Sequence, residues 1–278
     1  MINFSLVILA KTDNENVFNM NLNCINSFVQ SVHRANVSYE IIIVESNNHA
    51  NYDYQNEHLK IIKPNEKFNF HKFGNIGLRL AKGEFYVFSN NDVIFDVNCL
   101  MELNKVITSN KDISSFSPYD VSCNSLPTPL IKKSDFVVGY DIQRHITGWC
   151  IVMHKRVFKT IKQLDERFNF YYADNDYAMQ LQKYNIKHAL VTNAKAKHLE
   201  SKTSNKSFKS FNLPKNIPKY VIKENRSWIL ENPEMIKGLI QYHKKWGSRK
   251  SIKLKLLIIE KLKMIGLDHF SRFVLIAK

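Results

Sequence analysis

The chain predicts an α/β fold with a mostly parallel sheet flanked by helices, and two observations carry that reading. Phe4 to Leu9 and Tyr39 to Val44 are continuous apolar runs of strand length, and Leu22, Ile25, Phe28, Val29 and Val32 recur between them at helical spacing. Strand, helix and strand in that order imply parallel pairing through a right-handed crossover. The second observation is the stretch Asn75-Ile76-Gly77, Ala81-Lys82-Gly83-Glu84-Phe85 and Tyr86 to Ser89, running into Asn90-Asn91-Asp92. It sets a helix, a tight turn, a buried strand and an acidic strand end in immediate succession. Open α/β sheets hold ligands just beyond the carboxyl ends of their strands, so Asp92 is placed like a ligand-binding carboxylate.

Taken in order, Lys11-Thr12-Asp13-Asn14 supplies loop and helix-start residues after the first strand, and Glu45-Ser46-Asn47-Asn48 closes the second. Leu59 to Pro64 reads as a third short strand, residues 74–82 as a helix ended by Gly83, and Phe85 to Ser89 as a central strand. This is the first half of a doubly wound nucleotide-binding layout, and the lack of G-x-G-x-x-G disfavours a dinucleotide-binding domain. A helix from Val97 to Ser109 and a strand from Ile113 to Pro118 follow. Residues 119–144 show little periodicity and read as a long loop of the kind that carries function. A second ordered block begins at Ile146–Met153, where Gly148-Trp149 precedes an apolar strand, and runs through helices at Lys155–Ile161 and about Asn175–Lys183 to a strand at Ala189–Val191 and then His198. Residues 200–220, rich in Ser, Lys, Asn and Pro, read as a connector. Residues 221–245 read as helical segments interrupted near Pro233, and Ser251–Lys278 as amphipathic over part of its length. The expected organisation is a domain over 1–204 and a basic helical extension over 205–278.

Hydrophobic content of 44% and charged content of 23% are those of a globular protein. Cys24, Cys99, Cys123 and Cys150 lack C-x-x-C spacing, which argues against a zinc site or disulfide framework and predicts a cytoplasmic location. No apolar stretch approaches the roughly 18–20 residues of a membrane-spanning helix. The net charge of +15 is concentrated at the end: residues 205–278 hold 17 Lys/Arg against 5 Asp/Glu, a net +12. Such a tail fits either a solvated basic face or attraction to an anionic membrane surface, here the cytoplasmic face.

The order N-x-G, A-x-G-[DE], apolar strand, N-x-D resembles family-2 glycosyltransferases, whose GT-A fold is a nucleotide-diphospho-sugar transferase fold. The resemblance covers roughly residues 3–200. It implies that Asp92 binds a metal, Mn²⁺ or Mg²⁺, with Asn90 in place of the first acid of D-x-D, and that His198 completes the metal shell. Leu164-Asp165-Glu166-Arg167-Phe168 followed by Tyr171-Tyr172-Ala173-Asp174-Asn175-Asp176 resembles the family's F-D-E-x-F and E-D-x-D motif, with Ala173 at the first acid. The catalytic base is then Asp174, which a helix N-terminus should keep ionised. Asp176 and Trp149, the latter in the turn Gly148-Trp149, are implied on the acceptor side. Thr12, Glu45, Asn75, Asn90, Asn91 and Asp92 are implied at the nucleotide-sugar donor. Tyr242-His243-Lys244-Lys245-Trp246-Gly247 resembles a Y-F-x-x-K-W-G segment that follows the core in some bacterial relatives; Lys245 is read first as a surface lysine and in the alternative as a diphosphate contact.

The resemblance implies inverting transfer of a sugar to a hydroxyl of a glycan or lipid-linked glycan, in surface polysaccharide biosynthesis. Two alternatives stay open on sequence. A sugar nucleotidyltransferase is opposed by the absence of G-x-G-x-R-[LM] after the first strand. A catalytically inactive glycan or nucleic-acid binder is favoured by the lost acids at Asn90 and Ala173 and by the basic tail, but repeated RNA-stacking aromatics are missing, so no nucleic-acid partner is expected.

Overall fold

The computed structural model describes residues 3–122, 134–199, 233–247 and 250–267, with Phe270 and Val274. Residues 123–133 of the long loop, with Cys123, the connector at 200–220 and the helical segment expected before Pro233 lie outside these residues. Contacts divide the chain into two compact units, one of residues 1–166 with 174–201, the other of 167–173 with 202–278. The division differs from a single linear boundary by grouping 167–173 with the C-terminal segment.

The first unit opens with strand β1 (Phe4–Ala10), helix α1 (Glu15–Ala35), β2 (Tyr39–Glu45), β3 (Leu59–Ile62), α2 (Phe70–Leu80) and β4 (Phe85–Asn90). It continues with β5 (Val93–Phe95), α3 (Cys99–Ser109), β6 (Ile113–Asp120), β7 (Phe136–Val138) and β8 (Cys150–His154). Helix α4 (Lys155–Ile161), α5 (Ala173–Lys183) and β9 (Lys187–His198) complete the series up to His198. The strands form one sheet in the order β3-β2-β1-β4-β8-β6-β9-β5, with β7 also on β9. Strands β3, β2, β1 and β4 run parallel; β8 enters antiparallel beside β4 and β6. Every residue of β1 is buried, as a parallel strand covered on both faces requires.

Alternate residues of the central strands feed two cores. Leu6, Ile8, Ile41, Ile43 and Val87 meet Ile25, Phe28 and Val32 of α1 and Leu100 and Leu103 of α3. Val7, Leu9, Ile42, Val44 and Phe88 meet Phe73 and Leu78 of α2 and Tyr177 and Leu181 of α5. Close approach of α2 to the sheet depends on Gly77: a Cβ there would lie 2.4 Å from Val7 Cγ1 and 3.0 Å from Val44 Cγ2.

Four elements, α2, β9, β5 and β7, depart from the sequence reading. Helix α2 begins at Phe70 rather than 74, because Asn69 caps it by accepting from Lys72 N–H at 2.9 Å. Strand β8 starts at Cys150, directly after the Gly148-Trp149 turn, in which Cys150 N donates to Thr147 O and Thr147 Oγ1 to Cys150 O, both at 3.0 Å. Strand β9 spans twelve residues instead of three, long enough to pair with β7 near its start and β5 at its end. Three-residue strands such as β5 and β7 carry too little periodicity to be read in advance.

In the second unit, α6 (Pro233–Trp246) and α7 (Lys250–Met264) pack through Ile236, Ile240, Leu256 and Ile259. Pro233 is the first residue of α6, the position where its missing N–H costs nothing. Tyr172 packs its ring on Tyr242, and Lys245 lies over the rings of Phe168 and Trp246 at 5.7 and 4.9 Å. No helix among the described residues is long and apolar enough to cross a membrane.

Gly77→Val should destabilise the fold by roughly 1–3 kcal/mol, the usual range for overpacking a close-packed contact. Urea denaturation of the two proteins measures the difference; equal midpoints would mean that the helix-sheet spacing is not set by this glycine.

Candidate active site

Three groups of residues assemble at the carboxyl ends of β1, β2 and β4. The first is a pocket of about 370 Å³ lined by Thr12, Glu45, Tyr52, Tyr54 and Lys63 among others. Its floor is a buried hydrogen-bond network. Glu45 accepts from Thr12 N at 3.1 Å, Thr12 Oγ1 at 2.5 Å and Asn47 N at 2.7 Å. Thr12 and Glu45 are only 1% and 2% exposed, so they brace the pocket more than they reach into it. Phe18 stacks on Tyr52 with centroids 4.6 Å apart, which fixes an aromatic wall.

Asn21 is the hub that sequence reasoning missed. Its amide donates to Thr12 Oγ1 at 2.9 Å and Tyr54 Oη at 2.8 Å, and its carbonyl accepts from Asn91 Nδ2 at 2.7 Å. The pocket and the strand-end turn at Asn91 are thereby tied together. A polar residue on the apolar face of α1, spaced between Phe18 and Ile25, was the available signal.

The second group gathers around Asp92, which is 5% exposed. Val93 of β5 stands opposite His198 of β9, bringing Asp92 Oδ1 to 3.2 Å from His198 Nε2. Asn90 Nδ2 lies 3.4 Å from the same nitrogen. Trp149 stacks on His198, centroids 5.5 Å apart and planes within 7°, which holds the imidazole in place. Asn90, Asp92 and His198, far apart in sequence, are brought together. A cation with ligand bonds of about 2.1 Å has neighbouring ligands about 3 Å apart, so the Asp92–His198 spacing fits one carboxylate oxygen and one imidazole nitrogen of a shared ion. Among the described residues no cluster of three or more His, Cys, Asp or Glu forms, so further ligands would come from phosphate or water.

The third group is Asp174 at the start of α5, against the turn that precedes β8. A Cβ on Gly148 would lie 2.8 Å from Asp174 Oδ2, so only glycine allows this approach. Asp174 Oδ1 accepts from Asn175 N at 2.9 Å. At this helix N-terminus burial raises the carboxyl pKa above the ordinary 3.8, with its backbone hydrogen bonds opposing. Desolvation outweighs the dipole because the side chain is enclosed beside the turn.

Two expected site residues are placed inside the protein. Asn75 is fully buried: both amide hydrogens are used, by Leu164 O and Glu166 Oε1, and its carbonyl accepts from Leu164 N. It holds the 164–166 segment on α2 rather than facing a donor. Asp176 is likewise fully buried and accepts from Gln180 Nε2 at 2.9 Å, so it supports α5 from within rather than meeting an acceptor.

The parallel half-sheet, the antiparallel strands beyond it and the site at their carboxyl ends define a GT-A glycosyltransferase fold. The chain is similar in structure to Staphylococcus aureus TarS 1–349 in complex with UDP-GlcNAc, at 14% identity and TM-score 0.59 over 98% of this chain and 90% of that one. A second crystal structure of S. aureus TarS 1–349 matches with TM-score 0.55 at 13% identity, over the same shares of the two chains. The catalytic domain of Drosophila β1,4-galactosyltransferase 7 with xylobiose matches at 12% identity and TM-score 0.51, over 76% and 77%. No protein-family model and no curated protein sequence matches the chain.

Asp174→Asn should stabilise the fold at neutral pH. A raised folded pKa means the native state holds the proton more tightly than the unfolded chain, so stability is lost as pH rises through the folded pKa. The variant has no such loss. Melting temperatures measured from pH 3 upward should diverge in favour of Asn as the wild-type carboxyl ionises; parallel curves would show that Asp174 is not desolvated.

Proposed function

We propose that this chain is a glycosyltransferase that moves a sugar from a nucleotide-sugar donor to a hydroxyl of a glycan or lipid-linked glycan, by inverting single displacement. The observation that carries the reading is the Gly148-Trp149 turn. Trp149 stacks on His198 and its carbonyl accepts from Asn90 N at 2.8 Å, while Gly148 admits the Asp174 carboxylate. Two adjacent residues therefore join an ion-binding corner to an isolated carboxylate, the pair of functions that glycosyl transfer to a hydroxyl needs.

Each part has a task. The pocket walled by Tyr52 and Tyr54 receives the nucleoside, and Asn90 and Asn91 lie along the path from it to Asp92. Asp92 and His198 would hold a divalent cation, and the imidazole favours Mn²⁺ over Mg²⁺. When bound, such an ion neutralises charge on the leaving diphosphate. Asp174 takes the acceptor proton; a pKa raised by burial makes it a stronger base than an exposed aspartate. Trp149 offers the free part of its ring to a sugar face. UDP-sugars are the first donors to test, since TarS of the same fold is described with UDP-GlcNAc.

The C-terminal unit adds a membrane contact to this reading. Helix α7 is apolar on two sides. Leu256 and Ile259 are buried against α6, while Leu254 is 61% exposed on another side with Leu257 and Ile258, and Ile265, just past the helix end, is 67% exposed. A second copy would bring the same positive charge, so the net +12 of residues 205–278 favours an anionic lipid surface as the occupant. Exchanging Leu254 and Ile258 for Glu should abolish flotation with vesicles containing anionic phospholipid while α6 stays covered. Undiminished flotation of that variant would remove α7 as the contact.

The enzymatic reading is tested on one purified set of proteins. Asp92→Asn should lose Mn²⁺-dependent thermal stabilisation by UDP, whereas Asp174→Asn should keep donor affinity and lose on the order of 10²–10⁴ in turnover. Transfer at the wild-type rate by Asp174→Asn would overturn the assignment of the base.

A further inference from the structure

Behind Asp174 lies a second buried polar chain that the reaction does not touch. Ser115 of β6, Tyr177 of α5 and His188 of β9 are at most 1% exposed. Ser115 Oγ lies 2.8 Å from Tyr177 Oη and 2.8 Å from His188 Nδ1, and His188 Nε2 lies 3.1 Å from His145 O. The far end sets the direction of every hydrogen. A carbonyl only accepts, so His188 donates from Nε2 and its Nδ1 is left to accept from the Ser115 hydroxyl; Ser115 Oγ then accepts from Tyr177. The imidazole is neutral, as full burial demands: desolvation pulls its pKa down to about 3.

The two ends of this chain hold the two walls around Asp174. Tyr177 stands three residues after Asp174, on the same first turns of α5. His145 stands three residues before Gly148, and Thr147 N is held by Ser117 Oγ of the same β6 strand at 3.2 Å. Gly148 and Asp174 are in direct contact, so a small shift of either wall changes where the carboxylate lies. Packing alone would be served by Phe, Ala and Leu at these places; an ordered row of donors adds direction, at the risk of burying unpaired groups if it breaks.

We propose that Tyr177, Ser115 and His188 are positioning residues that fix the Asp174 carboxylate against the Gly148-Trp149 turn. The proposal rests on Asp174 as the base. Tyr177→Phe keeps the ring and breaks the chain at one end; Ser115→Ala breaks it in the middle. Both should fold and bind UDP-GlcNAc, or whichever nucleotide sugar gives the largest thermal shift, with Kd within about twofold of wild type. Their kcat for release of nucleoside diphosphate should fall roughly 10- to 100-fold, the scale expected for slight misplacement of a reacting group. A merely structural network would lower the melting temperature and leave kcat unchanged at temperatures where the variants are folded, and that result overturns the proposal. A matched loss of donor affinity in both variants overturns it too. With Asp174→Asn measured alongside, an inactive Asn variant beside fully active Tyr177→Phe and Ser115→Ala refutes the positioning role alone, whereas an active Asn variant refutes the base and this role with it.

Discussion

The antiparallel entry of β8 beside β4 is the constraint on which the site depends. Four parallel strands deliver β4 to its carboxyl end at Asn90, where an all-parallel sheet would continue with another strand end. Instead β8 runs the other way, and the turn before it lands beside that end, with Asn90 N bonded to Trp149 O. A strand end and a strand start thus share one corner. Ser89 faces Cys150 in register, so a slip of one residue would move Trp149 off His198 and turn the core side chains of β8 to the wrong faces.

Electrostatics at this corner follow burial more than charge pairing. Asp174 sits in the first turn of a helix, where the dipole and free amides favour an anion by a few tenths to about 1 kcal/mol at exposed positions. Enclosure beside Gly148 works the other way and wins, so the carboxyl is held above its ordinary pKa. At Asp92 the balance is different, because His198 faces the carboxylate directly and the tryptophan stack prevents the imidazole from turning away. Two acids on one rim therefore have unlike surroundings, Asp92 facing an imidazole and Asp174 enclosed against a glycine turn.

Buried polar residues connect these parts. Asn21 links the pocket at Thr12 and Tyr54 to the turn at Asn91, and Asn75 fastens the segment before Asp174 to α2. Each satisfies its amide completely or nearly so, in keeping with the cost of burying an unpaired polar group. Their common feature is span: both bond to residues from about 10 to 90 positions away, so loops that carry chemistry are held by elements that do not.

Periodicity by itself determined the parallel half of the sheet, the helices α1, α3 and α4, and the placement of Asp92 beyond a central strand, because these depend on apolar spacing within a short window. The resemblance in motif order, not periodicity, put Asn90, Asp174 and His198 beside Asp92 among the residues of interest. Tertiary structure alone decided which of those meet: Asp92 with His198 across the short β5–β9 pair, and Asp174 with Gly148. It also decided that Asn75 and Asp176 face inward, that Asn21 is a hub, and that burial rather than the helix dipole governs Asp174. Contacts between residues tens of positions apart, and the desolvation they impose, are set by the packing of whole elements, and no local pattern of residues records them.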